Sequence, residues 1–452
     1  MKKIMLISVV LVMASLCFGT TRRVPSQYAT IGAAMTAAAN GDSILVAPGT
    51  YNENVAFSKD GIKLVSEGGA TVTEIHGTGY VTINAATGCG TDSNSLIQGF
   101  KMTGGTGGMD GEGGGLRFWN SHMKVKNNIF TDNEANEGAG VYLERSNAII
   151  ESCLIYNNDA LAKKGKDGEK WSDGNGAGIY SFASDKDYTP IFRGNTIINN
   201  FAGGKGNMSN GGGGIAVIRT GAIIENNYIV GNTATYGTGG IAIFEQGETH
   251  TLTIRNNTIK NNDKIGIEVR MANVALTTLK NNQIAGHTQY GLKYTYFPTG
   301  VLDATNNWWG SASGPYHATL NPSGTGNAVC DTVKSSVRSI VFSPWLTDTI
   351  IAIETVKPTE PYTLSTCWPN PFVHQTSVKL ESKFWTVVSA VVFDITGKEV
   401  RSIMNNSPKS AGSYNIGWDG KDRYGKQVPP GMYFYKVKVN NTSKTMKVIM
   451  IR

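Results

Sequence analysis

The sequence predicts an all-β chain, with a parallel β-helix (a solenoid) over residues 20–352 followed by a small β-sandwich over residues 363–452. Three observations carry this expectation. Asn and a lone apolar residue return together along the chain, as NNIFTDN from Asn127, GNTIINN from Gly194, NNYIVGN from Asn226, NNTIKNN from Asn256 and NNQIAGH from Asn281, with a weaker copy, ESCLIYN, at Glu151. A second string, Gly followed by an alternating apolar strand, recurs between them as GGGLRF, GAGVYL, GAGIYS, GGGIAV, TGGIAI, IGIEVR and YGLKYT. The last ninety residues abandon both repeats for short strands separated by Gly turns.

Composition bounds the rest. With 452 residues, 55 glycines and 17% charged side chains, the chain is turn-rich and globular rather than disordered. Residues 1–19, MKKIMLISVVLVMASLCFG, combine Lys2 and Lys3, a short apolar run and small residues near Gly19, so they read as a secretory signal peptide. The protein is therefore expected to be secreted or held on the outer cell surface. No later segment reaches the roughly 18 apolar residues of a membrane helix, so no membrane-spanning segment is expected. Cys89, Cys153, Cys330 and Cys367 follow the signal without metal-site spacing. Export permits disulfides, whose pairing the sequence leaves open, and Cys153 at an apolar repeat position reads as a buried thiol. The net charge of +7 divides unevenly: residues 363–452 hold 13 basic and 5 acidic side chains, whereas residues 20–362 hold 26 basic and 29 acidic ones. A basic groove for nucleic acid is not supported in the main domain.

Aligning the Asn strings puts Asn128, Ser152, Asn195, Asn227, Asn257 and Asn282 in one column, with Phe130, Leu154, Ile197, Ile229, Ile259 and Ile284 two residues on. The Gly strings place Leu116, Val141, Ile179, Ile215, Ile241, Ile267 and Leu292 in another. Units of roughly 25 residues with short strands split by Gly and Asn are the signature of stacked coils. Asn suits the bends because it tolerates left-handed backbone and its amides can bond from coil to coil. The polar, Pro-bearing stretch at residues 353–362 is a linker. Beyond it WPNPF, VVFDITGKEVRSI and AGSYNIGWDGKDRYGKQVPPGMYFYKVKV alternate strands and turns as a sandwich does.

On these residues the chain resembles the right-handed parallel β-helix proteins of the pectin-lyase-like superfamily, over about residues 22–346. VPSQYATIGAAMTAAANGDSILVAPGTYNENV is similar to that group's amino-terminal cap and first coil, and ATNNWWGSASGPYH with VFSPWL to its closing coil. Caps answer a physical need, because an open end exposes strand edges. The C-terminal stretch resembles the sorting domains of type IX secretion cargo and the Ig-like fold of flagellar-hook-cap proteins, through Asn370, Pro371, Asp394, Gly397, WDGKD, Gly431, Tyr433 and the tail KTMKVIMIR. The resemblance implies a right-handed solenoid, a small Ig-like β-sandwich, and the secretion machinery as a partner of the C-terminal domain.

Chemistry is expected where period-two alternation turns side chains away from the core. Those positions are Arg117, Tyr142, Tyr180, Ala216, Ala242, Glu268 and Lys293, then Trp119, Glu144, Phe182, Ile218, Phe244, Arg270 and Thr295, all expected to be exposed. Trp119, Tyr142, Tyr180 and Phe182 would present aromatic faces to sugar rings, which offer apolar faces rimmed by hydroxyls. The long loops just before these strands concentrate acidic groups: 13 of the domain's 29 fall between Asp110 and Asp187, Glu112 among them. No cofactor is firmly implied, but Asp132, Asp159 and Asp167 form an oxygen-rich set that suits Ca²⁺, which takes about six to eight oxygen ligands. A solvated, charged rim is the plainer alternative.

Two catalytic chemistries fit such a fold. A lyase acting on uronate needs a base and a cation, for which Arg117, Lys164 and Lys170 are candidates. A glycoside hydrolase needs two carboxylates, for which Glu144, Asp173 and Asp132 are candidates. Family signatures select neither. GTYNENV resembles the first segment of pectin methylesterases, but their DFIFG and GRPW segments have no counterpart; the NTD, GHG and RIK runs of polygalacturonases and the WIDH and RxPxxR runs of pectate lyases are also missing. Gly49, Tyr51 and Glu53 then read as a structural first turn, and the six histidines as unpaired. The expectation is a monomeric, secreted or surface-attached protein that interacts with extracellular polysaccharide, with lyase action on acidic glycans as its finer form. Its rival is a non-catalytic adhesin or structural stalk.

Overall fold

The computed structural model describes residues 19–85, 94–107, 111–161, 174–183, 188–204, 211–244, 250–271, 274–295, 300–331, 339–348, 362–382, 386–409, 412–439 and 442–451. Three long parallel sheets wrap one core. The first has ten strands, from Thr21–Val24 to Thr277–Lys280. The second has nine, from Gly49–Asn52 to Gln283–Ala285, and the third ten, from Val55–Phe57 to Val329–Asp331. Each coil contributes one strand to each sheet in turn, which makes the unit a parallel β-helix.

The Gly strings produce the third sheet. Leu116 pairs with Val141, then Ile179, Ile215, Ile241, Ile267 and Leu292, strand upon strand. All seven side chains are fully buried in one apolar cluster that runs from Val24 to Phe342. Fully burying such a side chain is worth about 1.5–3 kcal/mol, so the column is the spine of the domain.

The Asn column needs one correction. The register pairs Ile129 with Leu154 and Leu154 with Thr196, which sets Cys153, not Ser152, beside Asn128 and Asn195. The inward neighbour two residues on is accordingly Ile155, while Leu154 packs in a separate cluster outside the core. The shift shows that each Asn-Asn dipeptide divides its labour. Its first position, Asn127, Ser152, Asn226, Asn256, Asn281 or Asn306, takes a left-handed φ between 54° and 59°. Its second holds a buried amide, so that Asn195, Asn227, Asn257, Asn282 and Asn307 bond in file. A second ladder runs through Asn133, Asn158, Asn200, Asn232 and Asn262, again after left-handed residues such as Asp132, Asn157 and Asn199. At Cys153 the thiol sits in the amide's place, buried and donating to the carbonyls of Glu151 and Val125, and burial pushes it up to about 12. Cys153, Cys330 and Cys367 are free among the described residues.

The cap forms as expected. Thr30 caps the short helix Ile31–Ala37 through Ala33 N–H, and the Glu53 carboxylate accepts from Ile31 and Gly32 N–H at 2.9 and 2.8 Å. These are amides that a helix cannot satisfy internally. Tyr51 donates its hydroxyl to Ala47 O, and the GTYN run, expected as a turn, is instead the strand Gly49–Asn52 paired with Thr73–His76, a structural role all the same.

The C-terminal residues form two antiparallel sheets. Tyr362–Leu364, Thr376–Ser382 and Gly412–Trp418 make the smaller; Glu399–Lys409, Thr386–Phe393, Gly431–Val439 and Thr442–Met450 make the larger. Trp418 and Tyr435 are fully buried between them, with Phe372 and Tyr433 rings 5.4 and 5.2 Å from Trp418. No helix among the described residues is long and apolar enough to cross a membrane.

Candidate functional site

The outer face of the third sheet carries the two expected columns in register: Arg117 lies beside Tyr142, Tyr180 and Ala216, and Trp119 beside Glu144, Phe182 and Ile218. Their exposure differs from expectation. Tyr142 and Tyr180 retain 2% and 6% of their surface, and Ala216, Ala242 and Glu268 none. They point away from the core but are covered. One cause lies in the turns that precede each strand, which fold back across it at glycines with positive φ. A Cβ on Gly138 (φ 61°) would stand 2.7 Å from the Tyr142 Cβ, and one on Gly176 (φ 58°) 2.8 Å from the Tyr180 Cβ. Only glycine lets the turn lie that close. Beneath it the two tyrosine rings stack at 5.3 Å, nearly parallel.

What reaches solvent is most of the second column and the polar groups around it; Phe244, also expected to be exposed, is buried. Trp119 is 38% exposed. The Arg117 guanidinium lies 5.6 Å from the Trp119 ring and 6.0 Å from the Tyr142 ring, within cation–π range. Its Nη2 meets Glu112 Oε2 at 3.1 Å, and its Nε is buried without a partner. Tyr142 donates its hydroxyl to Glu144 Oε2 at 3.3 Å. Arg145 Nη1 stands 3.4 Å from Glu144 Oε1. Burial holds the Glu112 carboxyl above the ordinary carboxylate range, against the pull of Arg117. Burial likewise drives the Tyr142 phenol far upward, so it stays protonated.

The structure thus brings Arg117, Trp119, Tyr142, Glu144, Tyr180 and Phe182 onto one face. Lys164, Lys170, Asp167 and Asp173 lie outside the described residues. Asp132 and Asp159 sit elsewhere, on the second sheet's turn and the strand Asp159–Leu161. Asp159 is in register with Glu134, and burial, then Glu134 and Asp132, push its carboxyl upward. Among the described residues no three His, Cys, Asp or Glu side chains are grouped to hold a metal ion. Sequence reasoning missed Glu112 as a member of the site, placing it only in the acidic run. No periodicity could locate it, since it lies in a Gly-rich turn five residues before Arg117.

Further along the same face Glu268 is fully buried. Its Oε1 lies 3.1 Å from both Arg270 Nε and Lys293 Nζ, and Thr238 donates to its Oε2 at 2.6 Å. Arg270 also covers the Phe244 ring at 4.6 Å. That end is a closed ion cluster that ties three coils together. Several histidines have structural partners: His122 accepts from Asn147 N–H, and His317 Nδ1 accepts from Leu320 N–H while its Nε2 lies 3.3 Å from Asp331.

Residues 44–217 and 205–308 match the family described as right handed beta helix region, and residues 372–444 match the FlgD Ig-like domain. No curated protein matches the chain. Among solved structures, dimeric latent PorU from Porphyromonas gingivalis is 22% identical over 21% of this chain and 10% of its own, with a TM-score of 0.18. The enzymatically active domain of Bacteriophage CBA120 tailspike protein 4 is 12% identical over 90% of this chain and 64% of its own, with a TM-score of 0.27. The chain spans less than two thirds of either.

Proposed function

The chain belongs to the right-handed β-helix family, and on that scaffold we propose a monomeric, secreted or surface-attached protein that binds polysaccharide across the outer face of its third sheet. A fold alone selects no chemistry. The observation that carries the reading is the exposed Trp119 indole backed by Arg117, with the Glu112 and Glu144 carboxylates beside it. An aromatic face lined by convergent polar groups is the surface a sugar ring needs. Successive strands stand about 4.8 Å apart, so Trp119, Glu144, Phe182 and Ile218 offer a row that a linear glycan could follow from coil to coil. The C-terminal domain, with its excess of basic residues and its FlgD Ig-like match, would serve export or attachment through the secretion machinery. Lyase action on acidic glycans would draw its cation from Arg117, Lys164 or Lys170.

A second reading, a rigid non-catalytic stalk, is favoured by the covered state of Tyr142 and Tyr180 and by the ion pairs linking successive coils of the first sheet. There Lys126, Glu151, Arg193, Glu225 and Arg255 alternate in sign. The test is the full mature chain against a panel of acidic and neutral polysaccharides, with and without Ca²⁺, scored for binding, reducing ends and unsaturated-uronate absorbance. Binding lost on Trp119→Ala supports the glycan face; no binding to any polysaccharide leaves the stalk.

A further inference from the structure

The C-terminal domain holds 13 basic and 5 acidic side chains, and several of its cations have partners. Lys379 pairs with Glu381, Arg401 and Lys421 with Asp419, Lys409 and Arg423 lie over tyrosine rings, and Lys444 donates to Leu364 O. Lys398, Lys426, Lys436, Lys438 and Lys447 have no ion pair among the described residues. Three of those five share one surface, the outer face of the larger sheet.

Alternation along Gly431–Val439 buries Tyr433, Tyr435, Val437 and Val439 and turns Met432, Phe434, Lys436 and Lys438 outward. On one side Lys447 stands opposite Phe434 and Thr445 opposite Lys436; on the other Phe393 stands opposite Phe434 and Val391 opposite Lys436. Lys438 follows Lys436 by about 7 Å along the strand. Lys447 is its diagonal neighbour on the next strand, about 7–8 Å away. Like charges so placed repel one another, a cost that a bound polyanion would reverse. Of the domain's carboxylates Glu399, opposite Phe393, borders the face, and Asp394 at its end is occupied by the amides of Thr396 and Lys398.

We propose that this face binds a linear acidic polysaccharide, whose carboxylates meet Lys436, Lys438 and Lys447 while a sugar ring lies on the floor made by Phe393 and Phe434. Charge and shape select the occupant. Lysines act as point charges without the planar fork of arginine, so a row of them suits repeated anions along a polymer. The two phenylalanines are half-buried and form a floor, as stacking on a sugar face requires. Among the outward residues named, only Met432 is an exposed large apolar side chain, too little to enter a bilayer. The site is separate from the third sheet of the solenoid and stands whether or not that face binds a glycan. It would give the C-terminal domain a direct means of retention on an acidic matrix.

The test measures binding of the full mature chain to polygalacturonate, with dextran as the neutral polymer and phosphatidylglycerol vesicles as the anionic lipid. Every chain carries Trp119→Ala, so the third-sheet face does not enter the readout. Polygalacturonate should bind and dextran should not, and binding should weaken as salt screens the exposed charges. Combining Lys436→Gln, Lys438→Gln and Lys447→Gln should weaken it by about 10-fold or more with the melting temperature unchanged, and the three Arg substitutions should retain it. Phe434→Leu, which keeps the bulk and removes the ring, should weaken it as well; undiminished affinity there would overturn the aromatic floor. No binding to polygalacturonate, or an equal loss from Lys398→Gln with Lys426→Gln, which reports net charge alone, would overturn the site. Loss of vesicle binding alone in the triple Gln variant would assign the face to lipid, and loss of self-association alone would assign it to a second copy; either overturns the proposal.

Discussion

Asn195 gives both its backbone N–H and its side-chain amide to the single Oδ1 of Asn227, at 2.9 and 3.1 Å. Asn227 does the same to Asn257, and its own amide also reaches Phe192 O. Removing one rung strands two buried donors on the coil below. A buried donor without a partner costs about 1–3 kcal/mol, so Asn227→Ala should lower the denaturation midpoint by a large fraction of the domain's stability. Asn321→Ala, in the half-exposed closing loop, serves as the comparison. Equal midpoints for the two variants would refute the ladder as a source of stability.

Cys153 interrupts that file, because its backbone N–H donates to Asn195 Oδ1 but its thiol offers no amide. Cys153→Asn should complete the ladder from Asn128 upward and stabilise the protein by about 0.5–1.5 kcal/mol, the net worth of a buried hydrogen bond. Chemical denaturation at constant slope is the measurement, and a destabilised variant would mean that the site cannot admit the larger side chain.

His287 occupies the next position after Asn262 in the second ladder, with Nε2 3.1 Å from Ile259 O and Nδ1 3.1 Å from Asn262 O. Burial holds its ring below the ordinary histidine value of 6.5, against the two carbonyls that favour the proton. The unfolded chain therefore takes up a proton that the folded ring resists, and stability falls as pH drops below that value. Between pH 7 and pH 5 the melting temperature should decline, and His287→Asn should flatten part of the decline. His122, also lowered by burial, contributes in the same direction. An identical slope in wild type and His287→Asn would remove His287 from the account.

The outer column separates packing from binding. Tyr180→Ala opens a gap against Tyr142, Ala216 and Phe182 and should cost on the order of 3 kcal/mol. Trp119→Ala removes a partly exposed ring and should change stability by less than about 0.5 kcal/mol while weakening glycan binding. Paired thermal melts and affinity measurements distinguish the two, and a melt shift as large for Trp119 as for Tyr180 would contradict the burial described.

Export can be checked apart from chemistry. Deleting residues 363–452 should leave a β-helix with its usual cooperative melt, because the cluster from Val24 to Phe342 contains no residue of that segment. Fractionation should then find the shortened protein inside the envelope, and normal surface display of it would end the sorting proposal.

Legibility followed periodicity. The spine from Leu116 to Leu292 could be read residue by residue, because a strand with one buried face fixes its register. The same rule placed Tyr142 and Tyr180 on the outside correctly. It carried no information on what lies over them, since the covering turn depends on the φ of Gly138 and Gly176, and alternation says nothing about turns. The ladder slipped by one residue at Ser152 because ESCLIYN lacks the second Asn that marks the phase elsewhere. Glu112 escaped for the opposite reason to the spine: it sits in a turn, where position is set by tertiary contact and no repeat announces it.

Equivalent rungs of the ladders lie 42 residues apart between Asn158 and Asn200, 32 between Asn200 and Asn232, and 30 between Asn232 and Asn262, yet each pair closes at 2.9 Å. The perimeter of a turn is thus conserved while its contour length is not. Extra sequence is accommodated between fixed anchor points, so segments can be lengthened, exchanged or deleted there without altering the pitch. The anchors act as a mechanical ruler that uncouples the evolution of the surface from that of the shaft.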